Sequence, residues 1–261
     1  MLQEAGLHDS NSTRAPCGKR LPAAPRDNSV DAALFRRIVG KLQWLSITAR
    51  PDITFSVHRL STKVSMATKV DMLCAKRVLR YLNGTRGTGL RISGGGELVA
   101  YVDSDWATCE WTRRSVTGYV IGFLHTPSNI AEPSFSPIVW RSQKQTCVAQ
   151  STCEAEYIAC AVVCREVSYI RGLLLELGWI GTEATRVFCD NEAAVLMANG
   201  SGRSKFARYI DIKFHFARWC ASEGRVTFVN VRTQHNLADL FTKALSASRH
   251  TVLAARVIGE Q

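Results

Sequence analysis

The spacing of hydrophobic positions changes near Gly96, and the change predicts two regions of different structure. Before it, apolar residues recur every three or four positions over 29–82, which predicts three helices, the second opening at Pro51. After it, β-branched and aromatic residues dominate short segments between polar loops. The predicted strands are 98–103, 115–123 and 138–142.

The second half of the chain alternates helical and strand patterns. The predicted elements are a long helix at 151–177, a strand at 186–190, a short helix at 191–198, a helix at 205–222, a strand at 226–231 and a helix at 236–245. A meander followed by alternating helices and strands predicts an α/β fold, in which a mixed five-stranded sheet is flanked by helices and its later strands are parallel. A small helical segment precedes this sheet.

The same pattern predicts four segments along the chain. Residues 1–28 are rich in Pro, Ser, Asn and Arg without periodicity and are predicted to be a disordered lead-in. Residues 29–92 form the helical segment, 97–246 the α/β domain and 247–261 a C-terminal tail.

Composition adds a prediction about partners and compartment. The 261 residues carry 33 Lys and Arg against 22 Asp and Glu, a net charge of +11 that favours binding to a polyanion such as nucleic acid. The nine cysteines lack the spacing of a zinc site, which indicates free thiols in a reducing compartment. No apolar run approaches the roughly 20 residues that span a bilayer. The chain is therefore expected to be soluble and intracellular, in the cytoplasm or nucleus, with no membrane partner.

One carboxylate of the long helix is predicted to face the core. Ser151 and Glu154 have the spacing of a capping box, so Glu154 has a structural role at the start of the helix. At 100° per residue, Glu156 falls at the centre of the apolar stripe that runs from Ala159 to Leu177. A buried carboxylate must be paired, neutralised or bound to a cation, so an ordinary ion pair stays open beside a metal site.

Three further acidic residues lie where strands end or a helix begins. Asp103 and Asp105 close a strand, a pattern that turn chemistry also explains. Asp190 closes another strand, where it could cap a helix or join a ligand site at the sheet edge. Asp239 lies three residues after Asn236, where a carboxylate also complements the helix dipole. Spacing alone does not decide whether these residues converge.

The sequence resembles the ribonuclease H region of Copia-type retrotransposon Pol polyproteins. Seven motifs in the family's order carry the resemblance: 101–107 (YVDSDWA), 112–119 (TRRSVTGY), 140–145 (WRSQKQ), 151–157 (STCEAEY), 189–191 (CDN), 209–216 (YIDIKFHF) and 237–244 (LADLFTKA). Upstream, 40–45 (GKLQWL) and 75–82 (AKRVLRYL) resemble the family's helical connection from the reverse transcriptase region. The sequence departs from the family in a longer 125–137 segment and at Gln143 and Tyr209, where Lys and His are more usual.

The resemblance implies a ribonuclease H-like fold and an endonuclease that cuts the RNA strand of RNA/DNA hybrids. By motif position, Asp103, Glu156, Asp190 and Asp239 would be its catalytic, metal-binding carboxylates. The mechanistic hypothesis is two-metal hydrolysis with Mg²⁺, for which Mn²⁺ substitutes: Asp103 bridges two ions, Glu156 and Asp190 hold one, and Asp239 helps to hold the other. The implied partner in the same polyprotein is the reverse transcriptase region, whose aromatic-x-Asp-Asp motif this chain lacks.

Basic and polar residues are candidates for binding the hybrid. The candidate substrate-binding residues are Arg113, Arg114, Lys144, Asn191, Arg208 and His215. His235 is a candidate for protonating the leaving group, although the sequence favours the alternative of an ordinary exposed loop histidine. The basic face of the 205–222 helix could likewise be a solvated surface.

Two other functions remain open from the sequence. The chain could be a catalytically silent remnant that binds nucleic acid through its basic surface. It could also be an integrase of the same broad fold, although the order Asp, Glu, Asp, Asp with Glu156 on the first long helix disfavours this.

Overall fold

The computed structural model describes residues 2–7, 10–18, 30–93, 95–109, 111–126, 133–200 and 210–259. The chain divides into two compact units, the first of Met1–Arg91 with Lys243–Gln261 and the second of Ile92–Thr242. The residues that follow Thr242 therefore belong with the amino-terminal helices and not with the sheet.

The described residues contain seven α-helices, five strands and several short 3-10 helices. The α-helices are α1 (Ala32–Thr48), α2 (Thr54–Ser61), α3 (Lys69–Gly84), α4 (Thr152–Glu176), α5 (Glu192–Ala198), α6 (Phe216–Ser222) and α7 (Ala247–Ile258). The strands are β1 (Glu97–Asp105), β2 (Val116–His125), β3 (Ser134–Lys144), β4 (Thr185–Cys189) and β5 (Val226–Asn230). The 3-10 helices are Pro51–Ile53, Ile212–His215, Thr233–His235 and Leu237–Phe241.

The three helices predicted before Gly96 are present and share a core. Asp31 caps α1 by accepting a hydrogen bond from the Leu34 backbone N–H. Thr68 and Asp71 form a complete capping box at the start of α3. The apolar faces of α1, α2 and α3 are buried against one another, and Ala5 from the predicted lead-in joins this core.

A buried ionic network lies within the first unit, around Asp52. The Asp52 carboxylate accepts two hydrogen bonds from the Arg50 guanidinium, at 2.9 and 2.7 Å, and one from the Tyr81 hydroxyl at 2.6 Å. The His250 ring of α7 lies 3.0 Å from the Asp52 carbonyl oxygen. The side chain of Asp52 is fully buried, so its negative charge depends on the Arg50 guanidinium and the Tyr81 hydroxyl for compensation.

Replacing Asp52 by Asn is expected to destabilise the first unit by about 3 kcal/mol or more, because the buried Arg50 charge loses its partner. Urea unfolding followed by circular dichroism measures the change. Glu4→Gln is the matched control, since its ion pair with Lys41 is exposed and its loss should leave the unfolding midpoint unchanged. Unfolding of Asp52→Asn at the wild-type urea concentration would contradict the expectation.

The second unit contains the predicted mixed sheet, which is confirmed. Its strand order is β3-β2-β1-β4-β5. β1, β2 and β3 form the antiparallel meander. β4 pairs in parallel with β1, and β5 pairs in parallel with β4, as expected for the later strands. A β-bulge lies between Ile121 and Gly122. The central position of β1 brings its carboxyl end next to that of β4.

Helix α4 begins where the sequence predicts. Ser151 is the N-cap, and its hydroxyl accepts a hydrogen bond from the Glu154 backbone N–H at 3.1 Å. The Glu154 carboxylate accepts from the Gln150 N–H at 2.8 Å, so its role at the helix start is structural. The inner face of α4 forms the core with the sheet, and Val163 and Val167 are fully buried there.

The chain after Asn236 differs from the single helix predicted at 236–245. The 3-10 helix Leu237–Phe241 takes its place, and α7 follows after a short break. The Thr242 backbone N–H bonds to the Asp239 carbonyl three residues back, while the Thr242 hydroxyl donates to the Asp103 carboxylate. This tertiary contact holds the chain in the tighter 3-10 turn.

Several predictions concern compartment or fall on residues that are not described. All nine cysteines are free thiols. Within the described ranges, no helix has the length and apolar character needed to cross a membrane. Residues 201–209, which include Arg208 and the start of the helix predicted at 205–222, lie outside the described residues. The rest of that predicted helix is the 3-10 helix Ile212–His215 followed by α6.

Candidate metal centre

Four carboxylates converge at one edge of the sheet in the second unit. Asp103 lies near the carboxyl end of β1, and Asp190 directly follows β4. Carboxylate oxygens of Asp103, Asp190 and Asp239 lie within 4.8 Å of one another. A second group within the same limit consists of Glu156, Asp190 and the thiol of Cys189. Asp190 belongs to both groups, so the structure brings together all four carboxylates singled out from the sequence.

The side chain of Asp103 is held by Thr242. Asp103 is only 2% exposed, and its Oδ2 accepts a hydrogen bond from the fully buried Thr242 hydroxyl. No role for Thr242 follows from the sequence pattern, although it lies in the 237–244 motif, because its partner is 139 residues away in the chain.

Asn236 fastens the segment that carries Asp239 to the sheet. Its side-chain amide donates to the Val102 carbonyl of β1 at 2.9 Å. Its side-chain oxygen accepts from the Ala238 N–H at 3.1 Å and caps the 3-10 helix. Asp239 is 3% exposed, so the alternative of a solvent-facing carboxylate at a helix start is excluded.

Glu156 faces inward from α4, as the helix periodicity predicts. It is 6% exposed, and its carboxylate accepts a hydrogen bond from the Ser104 N–H at 3.1 Å. Burial raises the pKa of Glu156 well above its ordinary value, and the neighbouring Asp103, Cys189 and Asp190 raise this pKa further. The alternative of an ordinary ion pair does not hold, because none of the ion pairs among the described residues includes Glu156.

Gln145 joins three elements behind the carboxylates. Its buried Nε2 lies 2.9 Å from the Ala155 carbonyl of α4, 3.0 Å from the Thr117 hydroxyl of β2 and 3.3 Å from the Ser104 hydroxyl of β1. These contacts fix the start of α4, and with it Glu156, against the strand that carries Asp103. Gln145 lies at the end of the 140–145 motif, but its partners are not evident from the sequence.

Replacing Glu156 by Gln is expected to stabilise the metal-free protein at neutral pH. The folded-state pKa of Glu156 is raised above its ordinary 4.5, so the charged carboxylate is less favourable in the folded than in the unfolded state. The stability contributed by this group is complete below pH 4.5 and is lost as pH rises through the raised pKa. Thermal unfolding in EDTA should therefore give Glu156→Gln the higher midpoint at neutral pH, with the difference disappearing in acid.

Addition of Mg²⁺ should reverse this order, because a bound cation stabilises the wild-type carboxylate but not the neutral amide. A wild-type midpoint that equals or exceeds that of Glu156→Gln in EDTA at neutral pH would contradict the expectation.

Three of the candidate substrate-binding residues are basic and lie at the sheet edge where the carboxylates meet. Asp105, at the end of β1, pairs with Val116, at the start of β2, and Val116 pairs with Lys144, at the end of β3. Arg113 and Arg114 directly precede this point and are exposed. Arg113 has a positive φ of 52°, uncommon for a residue with a side chain.

The remaining candidates have local partners. Asn191 caps α5, and its side-chain oxygen accepts from the Ala194 N–H at 3.0 Å. The Nδ1 atom of His215 lies 3.0 Å from the Tyr157 hydroxyl. His235 is exposed in the 3-10 helix Thr233–His235, and its ring contacts the side-chain amide of Gln234.

The donor set of the three-carboxylate group fits a hard divalent cation. Asp103, Asp190 and Asp239 offer only oxygen donors, which Mg²⁺ and Mn²⁺ prefer. Like charges this close repel each other in the absence of a cation, so binding of a metal ion relieves a cost built into the fold. The cluster could therefore hold a metal ion.

Comparison with known proteins gives relatives over most of the chain. The chain is 37% identical over 230 residues to the retrovirus-related Pol polyprotein from transposon RE1 of Arabidopsis thaliana. This match covers 87% of the chain and 15% of the polyprotein. The chain is 38% identical over 219 residues to that from transposon RE2 of the same plant, covering 83% of this chain and 14% of the polyprotein. The chain thus spans about a seventh of the length of these relatives. No protein-family model matches it.

Among solved structures, the N-terminal RNase H domain of a Mycobacterium tuberculosis protein is similar. It shares 16% identity and a TM-score of 0.39 over 61% of this chain and 97% of that one.

The second unit is an α/β domain in which helices flank a mixed five-stranded sheet and four carboxylates converge at its edge, the arrangement that the resemblance to ribonuclease H regions implies. The chain that contains it belongs to the family of Copia-type, retrovirus-related Pol polyproteins of transposons, as its motifs indicate.

Proposed function

We propose that the second unit is a metal-dependent endonuclease that hydrolyses the RNA strand of RNA/DNA hybrids during retrotransposon reverse transcription. The observation that carries this proposal is the convergence of Asp103, Glu156, Asp190 and Asp239 at one sheet edge. Membership of the Pol polyprotein family supports the reverse-transcription context and a partnership with the reverse transcriptase region.

Mg²⁺ or Mn²⁺ would be held by these carboxylates, and when bound it would supply an activated water and stabilise the leaving 3′ oxygen. The Thr242 hydroxyl donates to Asp103 and so fixes the position of a carboxylate that would hold the ion. Asp190 belongs to both groups of potential ligands, so it would help to hold the ion in either group. His235 remains a candidate for protonating the leaving group.

The basic side chains at the same edge of the sheet would bind the phosphates of the hybrid. Arg113, Arg114 and Lys144 lie beside the ends of β1, β2 and β3, close in register to Asp105. The net charge of +11 would add a salt-dependent attraction. Asn191 and His215, and Arg208 from the residues that are not described, stay candidates for further contacts.

The proposal is tested by incubating the purified chain with a hybrid labelled on the RNA strand. Cleavage of that strand is expected with Mg²⁺ or Mn²⁺ and not with EDTA, while double-stranded DNA of the same sequence stays intact. Cleavage at the same rate in EDTA would overturn the metal-dependent mechanism. Salt-sensitive binding of the hybrid without cleavage in either metal would favour the catalytically silent remnant instead.

Removing the Thr242 hydroxyl is expected to weaken both catalysis and metal binding. In Thr242→Val the shape is kept, but Asp103 loses its buried hydrogen-bond donor. Loss of such a supporting contact lowers metal affinity or activity by about 10–100-fold. Titration of hybrid cleavage with Mg²⁺ measures the shift toward higher metal concentration.

Thr242→Ser is the matched control, since it keeps the hydroxyl and should retain most of the wild-type Mg²⁺ dependence. Identical Mg²⁺ titrations for Thr242→Val and the wild type would show that Thr242 does not support the metal site.

A further inference from the structure

A cavity lies in the second unit at the opposite edge of the sheet from the carboxylates. Its volume is about 450 Å³. It is lined by Glu97 and Leu98 of β1, Thr185 of β4, Arg171 of α4 and residues from the 179–184 connection that follows α4. Because β1 and β4 are parallel, their first residues meet at this edge, while Asp103 and Asp190 lie at the other. The cavity is therefore separate from the candidate metal centre.

The Arg171 guanidinium is buried beside this cavity without a counter-ion among the described residues. Arg171 is 7% exposed, and none of the ion pairs in the described ranges includes it. Its Nη1 donates to the Glu183 carbonyl at 2.7 Å and to the Thr185 hydroxyl at 2.9 Å, and its Nη2 donates to the Thr182 carbonyl at 3.2 Å. These three acceptors are uncharged. A buried charge is unfavourable unless an opposite charge lies beside it, so the guanidinium favours the binding of an anion.

The charged groups around Arg171 do not supply that anion. Burial lowers the pKa of Arg171, and the nearby Arg225 guanidinium lowers this pKa further. The Glu183 carboxylate opposes the change only in part, since the net direction is downward. Of the two carboxylates that line the cavity, Glu97 is paired with Arg186, and Glu183 forms none of the ion pairs in the described ranges.

Two features of the cavity indicate the chemistry of its ligand. The Arg171 guanidinium keeps N–H donors, at Nε and at the second hydrogen of Nη2, that make no hydrogen bond with the described residues. The planar fork of a guanidinium matches the oxygens of a phosphate group. The Trp179 side chain lines the same cavity, is 67% exposed and has no stacking partner in the part of the chain that the structure describes. An exposed indole face is a platform on which a nucleobase stacks.

We propose that this cavity binds a nucleotide, whose phosphate group pairs with Arg171 and whose base stacks on Trp179. The phosphate supplies the opposite charge that the buried guanidinium lacks. The cavity volume falls within the range of small-molecule sites, about 300–1,000 Å³. A free mononucleotide and the phosphorylated end of a nucleic-acid strand carry the same chemistry. Binding changes no covalent bond and does not depend on the proposed nuclease activity.

Binding is measured on the full chain by isothermal titration calorimetry with AMP, inorganic phosphate and adenosine. AMP is expected to bind, and phosphate should bind at least about fivefold more weakly because it lacks a base to stack. Adenosine should bind at least about tenfold more weakly than AMP, because it lacks the charged group that pairs with Arg171. Adenosine affinity equal to that of AMP, or no binding of AMP, would overturn the proposal.

Replacing Arg171 by Gln should weaken AMP binding at least about tenfold. Arg165→Gln is the matched control, because it makes the same change at an exposed arginine of the same helix that does not line the cavity. This control should keep the wild-type affinity, and circular dichroism checks that both variants fold. An equal loss of affinity in the two variants would mean a general attraction to a basic chain and would overturn the site.

Glu183→Gln provides a test that keeps Arg171 in place. Removing a negative charge from the wall of the cavity should strengthen AMP binding by about twofold or more, and the thermal unfolding midpoint should not fall. If Glu183 instead serves as the counter-ion of Arg171, this variant would unfold at a lower temperature and bind AMP no better than the wild type. That result would overturn the proposal.

The role of Trp179 and the source of the phosphate are measured in the same way. Trp179→Ala should reduce AMP affinity to that of inorganic phosphate while leaving phosphate affinity unchanged, and unchanged AMP affinity would overturn the stacking. A 5′-phosphorylated single-stranded oligonucleotide is then compared with the same strand without the phosphate, in the wild type and in Arg171→Gln. A phosphate-dependent gain over AMP that is lost in Arg171→Gln would assign the site to a strand end. AMP binding without such a gain would assign it to free nucleotides.

Discussion

Replacing Asp103 by Asn or Glu156 by Gln is expected to abolish Mg²⁺-dependent cleavage of an RNA/DNA hybrid by this chain. Both residues are nearly fully buried in the carboxylate cluster, and each substitution exchanges a charged oxygen donor for a neutral amide of the same shape. Loss of a supporting residue around a metal costs up to about 100-fold, so loss of a ligand should cost more. Initial rates with a labelled hybrid at saturating Mg²⁺ measure the effect.

The matched control for this experiment lies on the same helix. Glu154→Gln makes the same chemical change two residues from Glu156, at a carboxylate that caps α4 by accepting from the Gln150 N–H. Its activity should stay close to that of the wild type. Hybrid binding and circular dichroism of all three variants should match the wild type, which separates loss of chemistry from loss of fold. Wild-type cleavage rates in both Asp103→Asn and Glu156→Gln would contradict the assignment of the site.

Replacing Gly118 by Ala is expected to damage the site from a residue that carries no functional group. Gly118 lies on β2 directly opposite Asp103 of β1. A Cβ atom at this position would lie 2.6 Å from the Thr242 methyl carbon, 2.7 Å from the Phe241 Cβ and 2.9 Å from the Phe241 carbonyl carbon. The absence of a side chain at Gly118 therefore lets the end of the 3-10 helix Leu237–Phe241 approach the sheet.

The added methyl group would push Phe241 and Thr242 away and so weaken the Thr242–Asp103 hydrogen bond. Overpacking of this kind costs about 1–3 kcal/mol of stability. Displacement of catalytic groups by about 1 Å can cost on the order of 100-fold in rate. Urea unfolding and hybrid cleavage would measure the two effects, and we expect both in Gly118→Ala.

Gly172→Ala is the control for the change of Gly to Ala. Gly172 lies within α4, and nothing lies within 4 Å of the Cβ that would be added. Alanine in a helix interior is favoured over glycine by about 0.5–1 kcal/mol, so this variant should be slightly more stable and equally active. If Gly118→Ala unfolds and cleaves like Gly172→Ala, the close approach at Gly118 does not position the site.

Local patterns in the sequence determined the strands, most of the helices and one member of the site. The strands, α4 and its N-cap at Ser151 follow from residue type and periodicity over a few positions. The same periodicity distinguishes Glu156 from Glu154, because the direction of a side chain on a helix depends only on its position in the turn. The amphipathic spacing of Leu253, Ala254 and Val257 after Ser246 also carried a signal for α7, in the segment predicted as a tail.

The motifs identified Asp103, Asp190 and Asp239 by resemblance, but their convergence was decided by the tertiary structure. Parallel pairing of β1 with β4 brings Asp103 and Asp190 to one edge, and the close approach at Gly118 adds Asp239. The pairing of β1 with β4 and the close approach at Gly118 both join segments that are distant in the chain, so neither follows from local sequence.

The contacts that support the site could not be predicted from the sequence for the same reason. Thr242 contacts Asp103, which is 139 positions away in the chain. Gln145 contacts Ser104, which is 41 positions away, and Cys189 contacts Glu156, which is 33 positions away. The sequence by itself determined the strands, most of the helices, the fold class and the charged residues available. The tertiary structure decided which of them meet, because contacts between distant segments depend on how strands pair and helices pack, and not on the residues nearby in the chain.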